Sequence, residues 1–250
     1  MTSPAVVRSW ESEYRHRRYL DEPPIDFVKE IQSALAARGL SSAKGLYIGC
    51  GNGRNYVPLA NGGLDLVGLD ISFTALRQLT QRTPEQVRPL VRGDLRALDT
   101  RVRFAVVIAI QVFQHGSEAT THRAVLAARE HVAPGGLFCI RVNAIGTEPE
   151  FAHEVVEQGE DGRFTVQYHA GPKEGVTIHF FSRPELEGLV GDGFLPVLPL
   201  RSIVTARSPP PRGHWIQWEG IWSRRSNAAR IETPAIPRAG KSSIVRPHGQ

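Results

Sequence analysis

The stretch Leu46–Tyr56, LYIGCGNGRNY, places Gly49, Gly51 and Gly53 within five positions, directly behind an apolar run. Glycine in that density is costly to order. The backbone there is expected to turn sharply, or to lie against something too close for a Cβ. The apolar run belongs to KGLYIGCG (44–51), which reads as a strand ending in the glycine turn.

Working outward, LDLVGLDIS (64–72) reads as a second strand and SFTALRQLTQ (72–81) as a helix. VRPLVRGDL (87–95) is a short third strand, and RFAVVIAIQVFQ (103–114) a fully apolar fourth. SEATTHRAVLAAREHV (117–132) is a helix with Ser117 as its N-cap, closed by APGG, and GLFCIRVN (136–143) is a fifth strand. Upstream, IDFVKEIQSALAARGL (25–40) has helical spacing and stops at Gly39. Strands alternating with helices at this spacing predict a doubly wound parallel α/β sheet. Central parallel strands are buried on both faces, which suits the unbroken apolarity of strands four and five. After Asn143 the pattern changes. Residues 163–181 read as two short strands around a Gly-Pro turn, and a helix follows with Pro184 in its first turn. Residues 195–206 and 214–224 read as late strands, and 225–250 as a disordered tail.

A chain of 250 residues suffices for one sizeable domain. No apolar run approaches the roughly 18–20 residues of a membrane span, and no secretory signal is visible. Cys50 and Cys139 each lie in apolar segments, which predicts neither a disulfide framework nor a metal site, and a reducing, cytoplasmic compartment. The formal charge of +5 is local to one end. Residues 224–250 hold six basic side chains and one acid; taking these from totals of 30 and 25 leaves 24 of each in residues 1–223. A neutral body gives no support for nucleic-acid binding.

In open α/β sheets ligands bind beyond the carboxyl ends of the strands. The three glycines end the first strand, so they face that crevice, and the next helix offers free N–H groups. Asp70 ends the second strand, placed to accept hydrogen bonds from a ribose diol. Asp94 ends the third, placed to accept from an adenine amino group, with Leu95 beside the ring. Three strand ends thus describe a ligand containing adenosine. A dinucleotide fingerprint would need glycine at position 54, where Arg54 stands.

The glycine turn, Asp70, GDL (93–95), FAVVIAIQVFQHG (104–116) and APGGLF (133–138) come in the order and spacing of class I S-adenosylmethionine-dependent methyltransferases. The chain resembles that family from about residue 10 to about 223. GCGNGRN (49–55), VFQH (112–115) and HFFSRPELEGLVGDGF (179–194) are similar to its small-molecule members, including the tellurite-resistance type. The resemblance implies a Rossmann-like, seven-stranded, mostly parallel sheet with the last strand antiparallel, and S-adenosyl-L-methionine as cofactor. It implies Gly49, Cys50, Gly51, Gly53 and Asn55 around the methionine end, Asp70 with Ile71 at the ribose, and Asp94 with Leu95 at the adenine; Gln111 ends strand four on the cofactor side, there either to contact the methionine end or only to satisfy loop backbone. Residues 1–24 would form a lid, with Tyr14 and Arg18 reaching the cofactor. The domain proper would span 25–223, residues 143–180 forming an acceptor-side insertion and 224–250 a basic tail.

Two positions depart from the family's pattern: Tyr47 stands where an acid is common, and Ala105 where Asp is frequent. His115 follows strand four, where a methyl group would be presented. It is the candidate proton acceptor, or else a residue that shapes the pocket or caps the next helix. His169 and His179 lie on strands that would roof the pocket. The expected partner is a small-molecule acceptor methylated on oxygen, nitrogen or a chalcogen, with no nucleic acid and no membrane; the oligomeric state stays open. Three alternatives remain: a tRNA-type RNA methyltransferase, a non-catalytic nucleotide-binding module and, as the poorest fit to the glycine spacing, a nicotinamide dehydrogenase.

Overall fold

A computed structural model describes residues 3–17, 19–83, 89–206 and 213–226. Strands β1 (Lys44–Ile48), β2 (Asp65–Asp70), β3 (Leu90–Arg92), β4 (Phe104–Ile110) and β5 (Val132–Asn143) pair in parallel in the order β3-β2-β1-β4-β5. Leu46 sits beside Val67 on one side and Val107 on the other. The sheet continues through β10 (His214–Arg224) to β9 (Phe194–Ala206). β10 runs antiparallel to both β5 and β9. The expected seven strands and antiparallel last strand are therefore present, and that strand lies one in from the edge.

Side chains alternate across the sheet, as the two-residue period requires. Leu46, Ile48, Val107 and Ala109 face α5 (Glu118–Glu130) and α6 (Arg183–Val190), meeting Val125 and Leu186. Tyr47, Val106, Ile108 and Ile110 face α2 (Phe27–Ala36), α3 (Tyr56–Asn61) and α4 (Phe73–Arg82), meeting Ile31, Leu59 and Leu79. The α5 helix ends at Glu130, and APGG lies inside β5 rather than closing the helix. β3 is shorter than expected, and residues 87 and 88 of that segment lie outside the described residues. Arg224, assigned to the tail, is the last residue of β10; 227–250 also lie outside the described residues.

Two features were not foreseen. The first is α1 (Pro4–Arg15), started by Ser3, whose hydroxyl accepts from the Val6 N–H, and by Pro4 at the first position. The second is β6 (His153–Gln158), which joins β7 (Phe164–Tyr168) and β8 (Thr177–Phe180) in a small antiparallel sheet. β8 docks beyond β4, where the Gly116 N–H donates to the Thr177 carbonyl (2.9 Å) and the His179 N–H to that of Gln114 (2.8 Å). Val6 of α1 packs onto this sheet with Tyr168, Ile178 and Phe180. α1 also spans to α4, where both oxygens of Glu11 accept from the free N–H groups of Phe73 (2.7 Å) and Thr74 (3.3 Å). Among the described residues, no helix is long and apolar enough to cross a membrane.

The small sheet is tied to α5 and α6 by Glu185. One of its oxygens accepts from His122 (2.6 Å) and His179 (2.9 Å), while the other accepts from the Ser182 N–H in a capping box. Burial alone would raise the Glu185 carboxyl, but the bonds from His179 and His122 outweigh it and hold the group below its usual range. A depressed carboxyl stabilises the fold above the unfolded pKa, and that contribution is lost as pH falls through the folded one. Glu185→Ala is expected to lower stability by about 2–3 kcal/mol near neutral pH in denaturant unfolding. The difference from wild type should shrink on acidification.

Candidate active site

The glycine turn answers to two different constraints. Gly49, Gly51 and Gly53 all have positive φ (67°, 55° and 92°), where a side chain is strained. The N–H groups of Gly49 and Cys50 both donate to the Leu69 carbonyl, so the turn leans on the end of β2. A Cβ on Gly51 would collide with the Tyr14 hydroxyl, and one on Gly53 would lie 2.6 Å from Leu79. Gly51 thus serves the cavity side and Gly53 the packing against α4.

Asp70 is 7% exposed. Its carboxylate accepts from the Gly51 N–H (2.8 Å) and the Ser72 N–H (2.8 Å). Burial pushes the carboxyl up to about 6, against the pull of those two bonds, and Glu11 adds to the rise. A carboxylate has about four acceptor positions. Two are used by the backbone, and the group lines a cavity with Ile71. A pair of neighbouring hydroxyls would meet what is left.

Asp94 and Leu95 also line this cavity. Asp94 caps a single turn of 3-10 helix, accepting from the Arg96 N–H (3.1 Å) and its guanidinium (2.8 Å). Asn55 lines the cavity too, its side-chain oxygen accepting from the Ile25 N–H (3.1 Å). Cys50 is buried there, its thiol raised well above the usual range by burial and by Asp70. Gly53 is not on the cavity wall. Tyr47 is buried beside Tyr56, and burial raises its phenol. Arg18 lies outside the described residues.

Beyond β4 the backbone is held in an uncommon conformation. Gln111 has φ +57°, and its N–H donates to the Arg141 carbonyl (2.7 Å). His115 meets the Trp10 ring edge-on at 5.2 Å between centroids. Neither of its ring nitrogens has a hydrogen-bond partner. Burial, reinforced by the Lys173 ammonium, holds the imidazole down to about 3, so it is neutral at ordinary pH. The remaining histidines part from expectation. Ile178 and Phe180 line the cavity, so His179 between them points away, toward Thr165 and Glu185. His169 is exposed beside Glu154.

These residues border one cavity of about 980 Å³, which runs from the glycine turn to His115 and on to β10. α1 crosses its mouth. Ser9 donates to the Pro172 carbonyl (3.2 Å), Glu13 lies 3.6 Å from the Lys173 ammonium, and that ammonium sits 3.8 Å over the Trp10 ring. Glu13, Lys173, Arg141, Gln217 and Tyr168 were not singled out from the sequence. Glu13 had a signal, since Val6, Trp10 and Glu13 follow helical spacing behind a Ser-Pro start. The others had none, because each stands alone on a strand or turn.

Residues 46–136 match the family model described as "Methyltransferase domain". A comparison with curated proteins gives no match. Several solved structures share the fold. The 1,6-didemethyltoxoflavin-N1-methyltransferase of Burkholderia thailandensis, solved with 1,6-didemethyltoxoflavin and S-adenosylhomocysteine, is 20% identical, with a TM-score of 0.61 over 89% of this chain and 88% of that one. TehB from Haemophilus influenzae is 15% identical, with a TM-score of 0.60 over 86% of this chain and 67% of that one. The N-methyltransferase NodS from Bradyrhizobium japonicum, solved with S-adenosylhomocysteine, is 17% identical, with a TM-score of 0.57 over 87% and 97%. The matched segment carries the glycine turn, Asp70 and Asp94. That segment is the part of the chain that matches a methyltransferase domain, on a fold shared with structures of S-adenosylmethionine-dependent methyltransferases.

If Asp70 contacts the cofactor, its raised carboxyl makes binding depend on pH. Its proton returns as pH falls through about 6, and the protonated group loses its charge as an acceptor. Affinity for S-adenosylhomocysteine, read by calorimetry, is expected to be level above that point and to fall below it. Asp70→Asn should weaken binding about tenfold or more near neutral pH and remove the pH dependence.

Proposed function

We propose that this methyltransferase acts on a small organic acceptor held between His115 and β10. The observation that carries this reading is a roofed cavity that joins the glycine turn to His115 and β10. Its volume of about 980 Å³ is at the upper end of the roughly 300–1,000 Å³ usual for small-molecule sites, room for a cofactor and a second small molecule. A polynucleotide would need an open, basic groove, whereas α1 and the small sheet cover this site. The neighbour that acts on a small molecule by name, the 1,6-didemethyltoxoflavin-N1-methyltransferase, supports the same reading.

In this reading Asp70 and Ile71 hold the ribose, and Asp94 and Leu95 the adenine. Gly49, Cys50, Gly51, Asn55 and Gln111 surround the methionine end, and Tyr14 closes over Gly51. Gly53 acts through the shape of the turn. S-adenosylmethionine supplies a methyl group already activated on a sulfonium, whose leaving group is neutral. The chain's part is to align the acceptor and exclude water. Trp10, Tyr168, Phe180 and Ile178 do this with apolar surface. His115 takes the proton that the acceptor's oxygen or nitrogen releases. A proton on an atom that is gaining a methyl group becomes strongly acidic, so even a weak imidazole base suffices.

The test is methyl transfer from labelled S-adenosylmethionine to a cell extract divided into small-molecule and RNA fractions. Label is expected in the small-molecule fraction; label confined to RNA sinks the reading. With an acceptor in hand, His115→Ala is expected to lower kcat about 10²-fold while leaving cofactor affinity unchanged. The wild-type rate should show no histidine titration near neutral pH, because the imidazole is already neutral there.

A further inference from the structure

The far wall of the cavity, where β5 meets β10, carries polar groups. Arg141 and Gln217 both line the cavity, and both are buried, Gln217 to 1% exposure. The Arg141 guanidinium donates to the Gln217 side-chain oxygen from Nε (2.7 Å) and from Nη2, and to Glu219 from Nη1. Glu219 also meets Arg201 (3.3 Å), which meets Glu30 (3.1 Å). The Arg141 charge is thus balanced by Glu219 within the wall.

This arrangement fixes which way the Gln217 amide points. A guanidinium has only donors, so the atom facing it must be the amide oxygen, and the NH₂ group must face the other way. That Nε2 atom is fully buried and has no hydrogen-bond partner. Burying an amide donor without a partner is costly. Gln217 lines a cavity that also has Trp215, Phe151, Tyr168 and Phe180 on its walls. The Trp215 indole N–H is already spent on the Asn143 side-chain oxygen (2.9 Å). Gln217 therefore offers a donor to whatever fills this end.

We propose that Gln217, aimed by Arg141, is an acceptor-recognition residue, and that the acceptor is an uncharged aromatic molecule bearing a carbonyl oxygen that takes the Gln217 N–H. The proposal rests on the methyltransferase reading above. The balanced charge favours a carbonyl over a carboxylate, because Arg141 already has Glu219 as its counter-charge. The aromatic walls favour a flat ring. The methylated O–H or N–H lies at the other end of the ring, toward His115.

The test uses protein saturated with S-adenosylhomocysteine and two pairs of probes, 3- and 4-hydroxyacetophenone against 3- and 4-ethylphenol. Each pair differs chiefly in the carbonyl oxygen. Calorimetry is expected to show at least one ketone binding about tenfold tighter than its ethyl partner, the effect of one hydrogen bond. Gln217→Glu keeps an oxygen for Arg141 and replaces the donor by a second acceptor. It should abolish the ketone's advantage while leaving the ethylphenols unchanged. Gln217→Met serves if the glutamate variant does not fold, as judged by its S-adenosylhomocysteine binding. Equal affinities within both pairs, an advantage that survives substitution, or no binding by any probe overturns the proposal. Failure of the wild type to bind S-adenosylhomocysteine is a separate result, and overturns the methyltransferase reading instead.

Discussion

Asp70 is the point where the first two strands and the glycine turn are made one object. Its carboxylate sits at the carboxyl end of β2 and takes the N–H of Gly51, across the crevice, and of Ser72, ahead in its own chain. The first bond holds the turn after β1 in its left-handed path. The second orients the start of α4, whose own cap is Ser72 (3.1 Å to the Ala75 N–H). α4 in turn receives Glu11 at its free N–H groups, and Glu11 anchors the helix that covers the cavity. One buried charge therefore relays position from the sheet to the lid. Keeping it ionised in a buried site is unfavourable, which the rise of its carboxyl to about 6 records. Hydroxyl donors at its two remaining acceptor positions would offset that.

The lid closes by contacts of two kinds. Against the cofactor side it presents the Tyr14 ring, placed where only glycine at 51 leaves room. Against the acceptor side it presents Trp10 and Glu13, which meet Lys173 on the turn between β7 and β8. The same helix thus touches both halves of the cavity. Cofactor and acceptor are sealed by one element, an economical way to keep water from a reaction that depends mainly on alignment.

The half of the molecule that holds the cofactor was legible in the sequence because its signals are local. Gly49 to Gly53, Asp70 and Asp94 each follow an apolar strand directly, so position along the chain implies position at the crevice. The acceptor half was not legible for the opposite reason. Arg141 and Gln217 are 76 residues apart, and neither stands in a pattern that marks it. β6 escaped notice because Val155 and Val156 are both exposed, at 52% and 43%, so no alternation appears. His179 was placed toward the pocket from its strand alone. Its parity with Ile178 and Phe180 turns it to the other face, where Glu185 and Thr165 occupy both ring nitrogens. α1 was legible in principle, since the Ser3-Pro4 start and the spacing of Val6, Trp10 and Glu13 are a helix signature.

Several costly features of the fold share one address. Gln111 adopts a left-handed conformation, His115 keeps two unpaired ring nitrogens, Gln217 keeps an unpaired amide donor, and Asp70 holds a buried charge. Each is unfavourable in the empty chain, by the strain or lost hydrogen bonds that such sites carry. Packing alone supplies no reason for them to border a single cavity. Ligands that satisfy these groups bind the folded chain and not the unfolded one, so they must stabilise the fold. On the proposed reading, cofactor and acceptor act on stability through different residues, Asp70 for one and Gln217 for the other. The lid that touches both gives each ligand a route to influence the binding of its neighbour.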